Sequence, residues 1–380
     1  MEKVQGGKNE SIQIFRAIIF LFVFCAHAFG LAGHASPFSV FNPSVTPFFV
    51  LSAFLLALRH CGESEPCSFK SCFLFMKKRI AKLYPLHILL TLFVFLIWTV
   101  RYWHGGTLGE RIGEMSAAFV CHALLIHAWI PVKEIIVSLN GPDWFLSCMV
   151  FYYLIFPIVR NFIQRLGRRG RLAFLAALVA FRILWAAAVI TVCEKPGLGF
   201  FEVWGFSYSP IYHLPDFLIG CLAGFFYAEN KERLRVSDFV AGAAQVALVL
   251  FAIFFFRFGG GALPLLPRAF FKSELVRIFL SALWIYFFIE QKGFVRLFAF
   301  LPPLAAPLVF LGNLSGLAYL IHAPVMEFSN AARSFLNMNV TEWNMIQVWA
   351  LVLVEFFATI ILSILWIKFD SFLRKKKAAQ

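Results

Sequence analysis

Residues Ser11 to Leu31 read SIQIFRAIIFLFVFCAHAFGL, an apolar stretch long enough to cross a bilayer as a helix. The stretch carries two polar residues, Arg16 near its start and His27 near its end. Both are costly in hydrocarbon, so each is a candidate for function. Because His27 lies eleven positions after Arg16, their side chains differ by about 20° around a helix axis and lie roughly 16 Å apart along it. One helix face therefore presents a cation towards one membrane surface and an imidazole towards the other.

The composition of the whole chain is that of a membrane protein. Of 380 residues, 61% are hydrophobic and 14% are charged, and the mean hydropathy is +0.80. Repeated apolar runs of about 20 residues, without the alternation of a β-barrel, predict an all-α polytopic membrane protein. The whole chain, 1–380, is expected to be a single transmembrane domain with no soluble domain. We predict about ten crossings, at residues 12–31, 43–60, 81–101, 143–160, 171–193, 213–229, 238–257, 273–290, 313–335 and 343–367.

The distribution of basic residues gives the orientation. The net charge of +14 could indicate a nucleic-acid partner, but the basic residues cluster between the apolar runs. With ten crossings, one side holds about 23 of them and the other side about eight. This bias predicts that both termini are cytosolic, in a multi-pass protein of the inner (cytoplasmic) membrane surrounded by lipid. It predicts no nucleic-acid partner.

The first helix could also be read as a signal peptide, because Ala26-His27-Ala28 resembles a cleavage site. Arg16 within the apolar core favours a retained helix instead. The eight cysteines are scattered, without a CxxC pair. They predict neither disulfides nor a zinc site.

The apolar segment from Met115 to Ile130 breaks the alternation of sides. If it were a crossing, the RLGRRGR cluster at 165–171 would lie outside, against the charge bias. We therefore interpret the segment as a re-entrant or interfacial helix on the outer side. Its two histidines, His122 and His127, would face directions about 140° apart on one helix. They are predicted to be a poor metal pair, and no metal ligand is predicted in the chain.

Two groups of residues could carry chemistry. An imidazole titrates near neutral pH, so His27 could move protons, although it could equally hydrogen-bond a neighbouring helix. Arg79 and Lys82 are three residues apart, on one face of the start of the third crossing. Such a basic cluster can hold a phosphorylated ligand, or it can serve only to fix the topology.

Six segments, in order, resemble a known family. Arg16, ten residues and His27 are similar to the first-helix signature of the acyltransferase 3 family of bacterial membrane proteins. The others are PFFVLSAF at 47–54, KRIAKLYP at 78–85, DWFLS at 143–147, HLPDFLIG at 213–220 and GNLSGLAYLIH at 312–322. Ala53, Asp143 and Gly316 stand where the family usually has glycine, leucine and tyrosine.

The resemblance implies an integral membrane O-acyltransferase. Such an enzyme moves an acyl group, often acetyl, from cytosolic acyl-CoA to a hydroxyl of an extracytoplasmic or lipid-linked glycan, with acyl-CoA as a donor substrate and no permanently bound cofactor. The acyl-CoA phosphates would contact Arg16, Lys78, Arg79 and Lys82. His27 would be the general base or a transient acyl carrier, and Asp216 would orient its imidazole. The substrate pocket would be lined by Tyr84, Trp144, Ser147 and His322.

Two other classes of protein share some of these features. Ten crossings with intramembrane charges also suit a transporter or flippase for a lipid-linked or acidic metabolite, but the two halves show no convincing inverted repeat. A non-catalytic scaffold would leave Arg16 and His27 unexplained.

Overall fold

The computed structural model describes residues 10–39, 44–63, 67–194, 197–234, 236–258 and 265–378, which form helices and turns without a strand. Short 3₁₀ turns occupy His127–Trp129, Gly141–Asp143, Gly293–Arg296 and Val340–Glu342, and a π turn occupies Trp204–Tyr208. The α-helices are α1 (Glu10–Leu31), α2 (Thr46–Arg59), α3 (Phe69–Ile80), α4 (Tyr84–His104), α5 (Leu108–Ala123), α6 (Lys133–Ile136), α7 (Trp144–Arg165), α8 (Arg168–Cys193), α9 (Gly199–Val203), α10 (Pro210–Asn230), α11 (Asp238–Phe258), α12 (Leu265–Lys272), α13 (Leu275–Glu290), α14 (Leu297–Phe300), α15 (Pro302–Phe335) and α16 (Met345–Ala378).

The prediction of an all-α polytopic membrane protein is confirmed. Among the described residues, eight helical stretches are long and apolar enough to cross a membrane; they contain α1, α4, α7, α8, α10, α11, α15 and α16. Each of the ten predicted crossings overlaps one helix. Two of these ten helices, α2 with 14 residues and α13 with 16, are not among the eight. Each is too short to span a hydrocarbon core of about 30 Å by itself. The count of ten and the cytosolic termini stay predictions.

Helix α1 lies in the interior of the bundle. It packs along α15 and also touches α2, α13 and α16. Its Phe20, Phe24 and Phe29 side chains are buried. A glycine on α15 allows the closest approach, because a Cβ atom on Gly312 would lie 1.9 Å from the carbonyl oxygen of Gln13. Small residues of this kind let membrane helices pack backbone to backbone, and here they place α15 directly against the face of α1.

Helices α2 and α10 form a second close pair. Gly220 and Gly224 lie four residues apart on α10, the spacing at which small residues line one helix face. A Cβ atom on Gly220 would lie 2.6 Å from the Val50 carbonyl oxygen, and one on Gly224 would lie 2.5 Å from the Phe54 carbonyl oxygen. The short helix α2 is therefore held by backbone contact with α10.

The segment predicted as one helix from Met115 to Ile130 is interrupted. Helix α5 ends at Ala123, and Leu125 then adopts a left-handed φ of 55°. The chain turns there and enters the short 3₁₀ turn at His127–Trp129. The position of His127 relative to α5 is therefore set by the turn and not by helical periodicity.

Candidate functional site

His27 of α1 pairs with His322 of α15. The Nδ1 atom of His27 lies 2.8 Å from the Nε2 atom of His322, and the two rings are nearly coplanar, with 5° between their planes. On its other side, His322 Nδ1 lies 2.6 Å from the Tyr319 carbonyl oxygen. His322 is fully buried, whereas His27 keeps part of its surface exposed.

This chain of contacts assigns the protons on both rings. A carbonyl oxygen only accepts, so His322 Nδ1 carries a hydrogen and donates it to Tyr319. In a neutral ring, His322 Nε2 is then an acceptor, and His27 donates to it from Nδ1. The lone pair of His27 consequently lies on Nε2, on the side of the ring away from its partner. A partly exposed imidazole held in this tautomer is equipped to act as a general base.

Asp216 does not contact His27 in the described structure, which differs from the sequence-based expectation. Its Oδ2 atom lies 2.8 Å from His213 Nδ1 and accepts from the Thr46 hydroxyl at 3.2 Å. Its Oδ1 atom lies 3.2 Å from a guanidinium nitrogen of Arg182. The residue that orients His27 is therefore His322, which the resemblance assigned only to the substrate pocket.

A basic pocket of about 690 Å³ lies at the Arg16 end of α1. Arg16 lies eleven residues before His27 on α1, which places the pocket about 16 Å along the helix from the histidine pair. A Cβ atom on Gly316 would lie 3.7 Å from an Arg16 guanidinium nitrogen, an ordinary van der Waals contact, so Gly316 borders that guanidinium. The pocket is lined by Arg16, Lys82, Leu83, Asn313, Gly316, Leu317, Trp366, Ile367, Asp370, Ser371, Arg374 and Lys375.

The other two predicted donor residues are not among those that line this pocket. The Arg79 guanidinium lies 3.0 Å from His60 Nε2, and His60 Nδ1 lies 2.6 Å from a Glu63 carboxylate oxygen. Burial lowers the pKa of Arg79, but an arginine starts far enough above neutrality to keep its charge. Lys78 is exposed on α3. Of the four predicted donor contacts, the structure brings together Arg16 and Lys82.

The three remaining residues assigned to the substrate pocket have structural contacts of their own. Tyr84 donates its hydroxyl to the Ala123 carbonyl oxygen at 3.0 Å. Ser147 donates to the Leu125 carbonyl oxygen at 2.6 Å, and the buried Trp144 ring stacks on His213 with centroids 5.2 Å apart. The Tyr84 and Ser147 hydrogen bonds hold the turn after α5 against α4 and α7, and the Trp144 ring packs α7 against α10.

A cluster of three histidines and one aspartate was not predicted. His122 and His127 stack face to face, with ring centroids 3.9 Å apart, and Asp143 contacts both. His87 of α4 joins the cluster through the same carboxylate. The expectation that His122 and His127 point apart is wrong, because α5 ends before His127. The sequence signal that could have indicated the cluster is Asp143, an acid where the family usually has leucine.

Comparison with known proteins agrees with the resemblance. The acyltransferase 3 family model, described as an acyltransferase domain, matches residues 9–367. The acyltransferase MdmB of Streptomyces mycarofaciens is 29% identical over 182 residues, covering 47% of this chain and 44% of that relative. The match thus spans less than half of the relative's length, and no solved structure matches the chain significantly. The family match covers nearly the whole chain, which is a membrane protein belonging to the acyltransferase 3 family.

Proposed function

We propose that this membrane acyltransferase moves an acyl group, in the first place acetyl, from acyl-CoA to a hydroxyl of an extracytoplasmic or lipid-linked glycan. The observation that carries the proposal is the His27–His322 pair, whose hydrogen bonds put the remaining lone pair of the partly exposed His27 ring on Nε2. Such a nitrogen can remove the proton of an attacking hydroxyl, which is what O-acyl transfer requires.

The basic pocket supports acyl-CoA as the donor. Its lining includes the cationic side chains of Arg16, Lys82, Arg374 and Lys375, with Asp370 the acidic member. Coenzyme A carries a pyrophosphate and a ribose phosphate, and charge-assisted hydrogen bonds from lysine and arginine are the usual way of holding such groups. The pantetheine arm would then run along α1 and carry the thioester the roughly 16 Å from Arg16 to His27.

In the reaction, His27 Nε2 takes the proton of the acceptor hydroxyl while that oxygen attacks the thioester carbonyl. The resulting imidazolium donates from Nδ1 to His322 Nε2, which stabilises its charge. When the tetrahedral intermediate collapses, the carbon–sulfur bond breaks and the leaving thiolate takes the proton from His27. The products are the acyl ester and free coenzyme A, and the imidazole returns to its starting state.

A covalent route uses the same nitrogen differently. In that route His27 Nε2 attacks the thioester itself and coenzyme A leaves as the thiolate, so that an acyl-imidazolium forms. The acceptor hydroxyl then attacks the acyl carbon, the bond to Nε2 breaks, and the hydroxyl proton neutralises the thiolate. Exchange of radiolabelled coenzyme A into unlabelled acetyl-CoA, measured without acceptor, distinguishes the two. Exchange by wild type but not by His27→Ala indicates the covalent route, and absence of exchange by active wild type indicates the general-base route.

The function itself is tested by following acetyl groups onto glycans. Envelope and lipid-linked glycans are isolated from cells with and without the protein, and the alkali-labile acetyl esters are quantified. The proposal expects esters that appear only with the protein, and matching release of coenzyme A when membranes receive acetyl-CoA. Unchanged glycan esters and no coenzyme A release would refute it. Solute uptake by vesicles without any acyl transfer would favour the transporter instead.

A further inference from the structure

The cluster around Asp143 joins four separate elements. His87 comes from α4, His122 from the end of α5, His127 from the following 3₁₀ turn and Asp143 from the turn before α7. All four side chains are completely buried. The carboxylate lies at the centre: Oδ1 is 3.1 Å from His122 Nδ1 and 2.9 Å from His127 Nε2, and Oδ2 is 2.9 Å from His87 Nδ1.

The outward nitrogens of two of these histidines are already engaged. His87 Nε2 lies 2.9 Å from the carbonyl oxygen of His122, and His122 Nε2 lies 2.8 Å from the carbonyl oxygen of Ile135. Both contacts require a hydrogen on Nε2, so in the neutral rings the Nδ1 atoms hold lone pairs. These lone pairs point at the Asp143 carboxylate, which also has only lone pairs to offer. Neither carboxylate oxygen has a hydrogen-bond partner among the described residues.

We propose that His87, His122, His127 and Asp143 bind a divalent transition-metal ion, with zinc as the ion that this donor set fits best. Three imidazole nitrogens and one carboxylate oxygen are typical zinc ligands. Metal-binding histidines almost always donate their other ring N–H to a carbonyl or carboxylate, and His87 and His122 both do so. The donor atoms of His122, His127 and Asp143 all lie within 4.8 Å of one another.

The distances between the donor atoms show how the side chains must move when the ion binds. With zinc–ligand bonds of about 2.0–2.1 Å, neighbouring donors of a tetrahedral ion lie about 3.4 Å apart. The nitrogen–oxygen separations of 2.9 to 3.1 Å therefore widen by a few tenths of an ångström. His87 Nδ1, which contacts Oδ2 and lies outside the group formed by the other three donors, must move towards them to complete the shell. The parallel His122 and His127 rings must also tilt apart, so that both lone pairs meet at one point.

Four protein donors complete a tetrahedral zinc shell, so the ion is structural and does not take part in acyl transfer. Its ligands fix the segment from α5 to α7 against α4. The same segment reaches α15, because the Tyr319 hydroxyl donates to the Pro142 carbonyl oxygen at 2.8 Å. The metal site thus helps to fix the position of Tyr319, whose carbonyl oxygen orients His322.

The experiment measures bound metal in purified protein from which any histidine tag has been removed. Inductively coupled plasma mass spectrometry should find about one zinc per chain in the wild type. The His122→Ala and Asp143→Asn variants should lose most of it, with affinity at least about tenfold lower. His104→Ala, which changes an exposed histidine at the end of α4, is the matched control and should keep the full content.

A second measurement avoids dependence on the folding of variants. Wild-type protein stripped with a chelator and refilled with Co²⁺ should show the visible absorption of a four-coordinate cobalt site. Folded wild-type protein that holds no transition metal after incubation with zinc, and gives no such spectrum with cobalt, would overturn the proposal. In that case the cluster is an ion pair between the Asp143 carboxylate and its histidine neighbours. Unchanged zinc content in folded His122→Ala would overturn it as well.

Discussion

Replacing His322 separates the role of the histidine pair from simple packing. Phenylalanine has a ring of similar size and fills the same buried position, but it cannot accept the hydrogen that His27 donates from Nδ1. Glutamine can place an amide oxygen near the position of Nε2 and accept that hydrogen. His322→Phe therefore removes the hydrogen bond from His27, and His322→Gln retains it.

The size of the effect follows from the change in charge during the reaction. A hydrogen bond between neutral groups contributes about 1 kcal/mol, and one to a charged group about 1.5–3 kcal/mol. Because His27 becomes an imidazolium only when it has taken the proton, the transition state gains about 0.5–2 kcal/mol more than the ground state, with a middle value of about 1.3 kcal/mol. One such difference corresponds to a factor of about ten in rate. His322→Phe should lower kcat about tenfold or more, while KM for acyl-CoA stays unchanged.

The assay is release of coenzyme A from acetyl-CoA by protein in proteoliposomes, with protein amount and thermal melting checked for each variant. His322→Gln should keep most of the wild-type kcat. The reasoning is refuted if folded His322→Phe turns over at the wild-type rate. It is equally refuted if folded His322→Gln is as slow as His322→Phe, because an acceptor at this position would then make no difference.

Three further predictions concern the donor pocket and the packing. Lys82→Gln should raise KM for acyl-CoA about fivefold, as expected for about 1 kcal/mol from one exposed phosphate contact. Lys70→Gln, which changes an exposed lysine at the start of α3, is the control and should leave KM unchanged. If the two variants have the same KM, Lys82 does not bind the donor. Gly220→Ala should destabilise the fold by about 1–3 kcal/mol, because its Cβ would meet backbone atoms of α2. Gly113→Ala, where nothing lies within 4 Å, is the control in the same thermal or SDS unfolding series, and equal stabilities would contradict the close helix pairing. Arg182→Met should cost about 3–5 kcal/mol in that series, because it leaves a buried carboxylate without its cation, and a near-native stability would show that the pair is not needed.

Sequence patterns predict those parts of this fold that depend on local chemistry. Apolar run length identifies the helices, and the Gly220–Gly224 spacing marks a face that can pack closely. The contact between His27 and His322 does not depend on local chemistry. His322 lies 295 residues further along the chain, and only the packing of α1 against α15 brings the two together. Periodicity within one segment contains no information about that contact.

The histidine cluster shows the other limit. His122 and His127 would lie on different faces only if α5 continued to Ile130. A single left-handed residue, Leu125, ends that regularity. Leucine has no intrinsic preference for positive φ, so the turn is imposed by tertiary contacts and cannot be read from the local sequence. Asp216 was likewise predicted beside His27, whereas Arg182 and His213 are its partners.

Acyl transfer by a His27→Ala variant tests the central claim most directly. Wild type, His27→Ala and the exposed control His104→Ala are compared in proteoliposomes at equal protein content, with coenzyme A release and acyl-ester formation both measured. Loss of a general base typically costs a factor of about 10²–10⁴. We expect a loss of that size in His27→Ala, with wild-type rates in His104→Ala. Folded His27→Ala that forms the acyl ester at the wild-type rate would contradict the account.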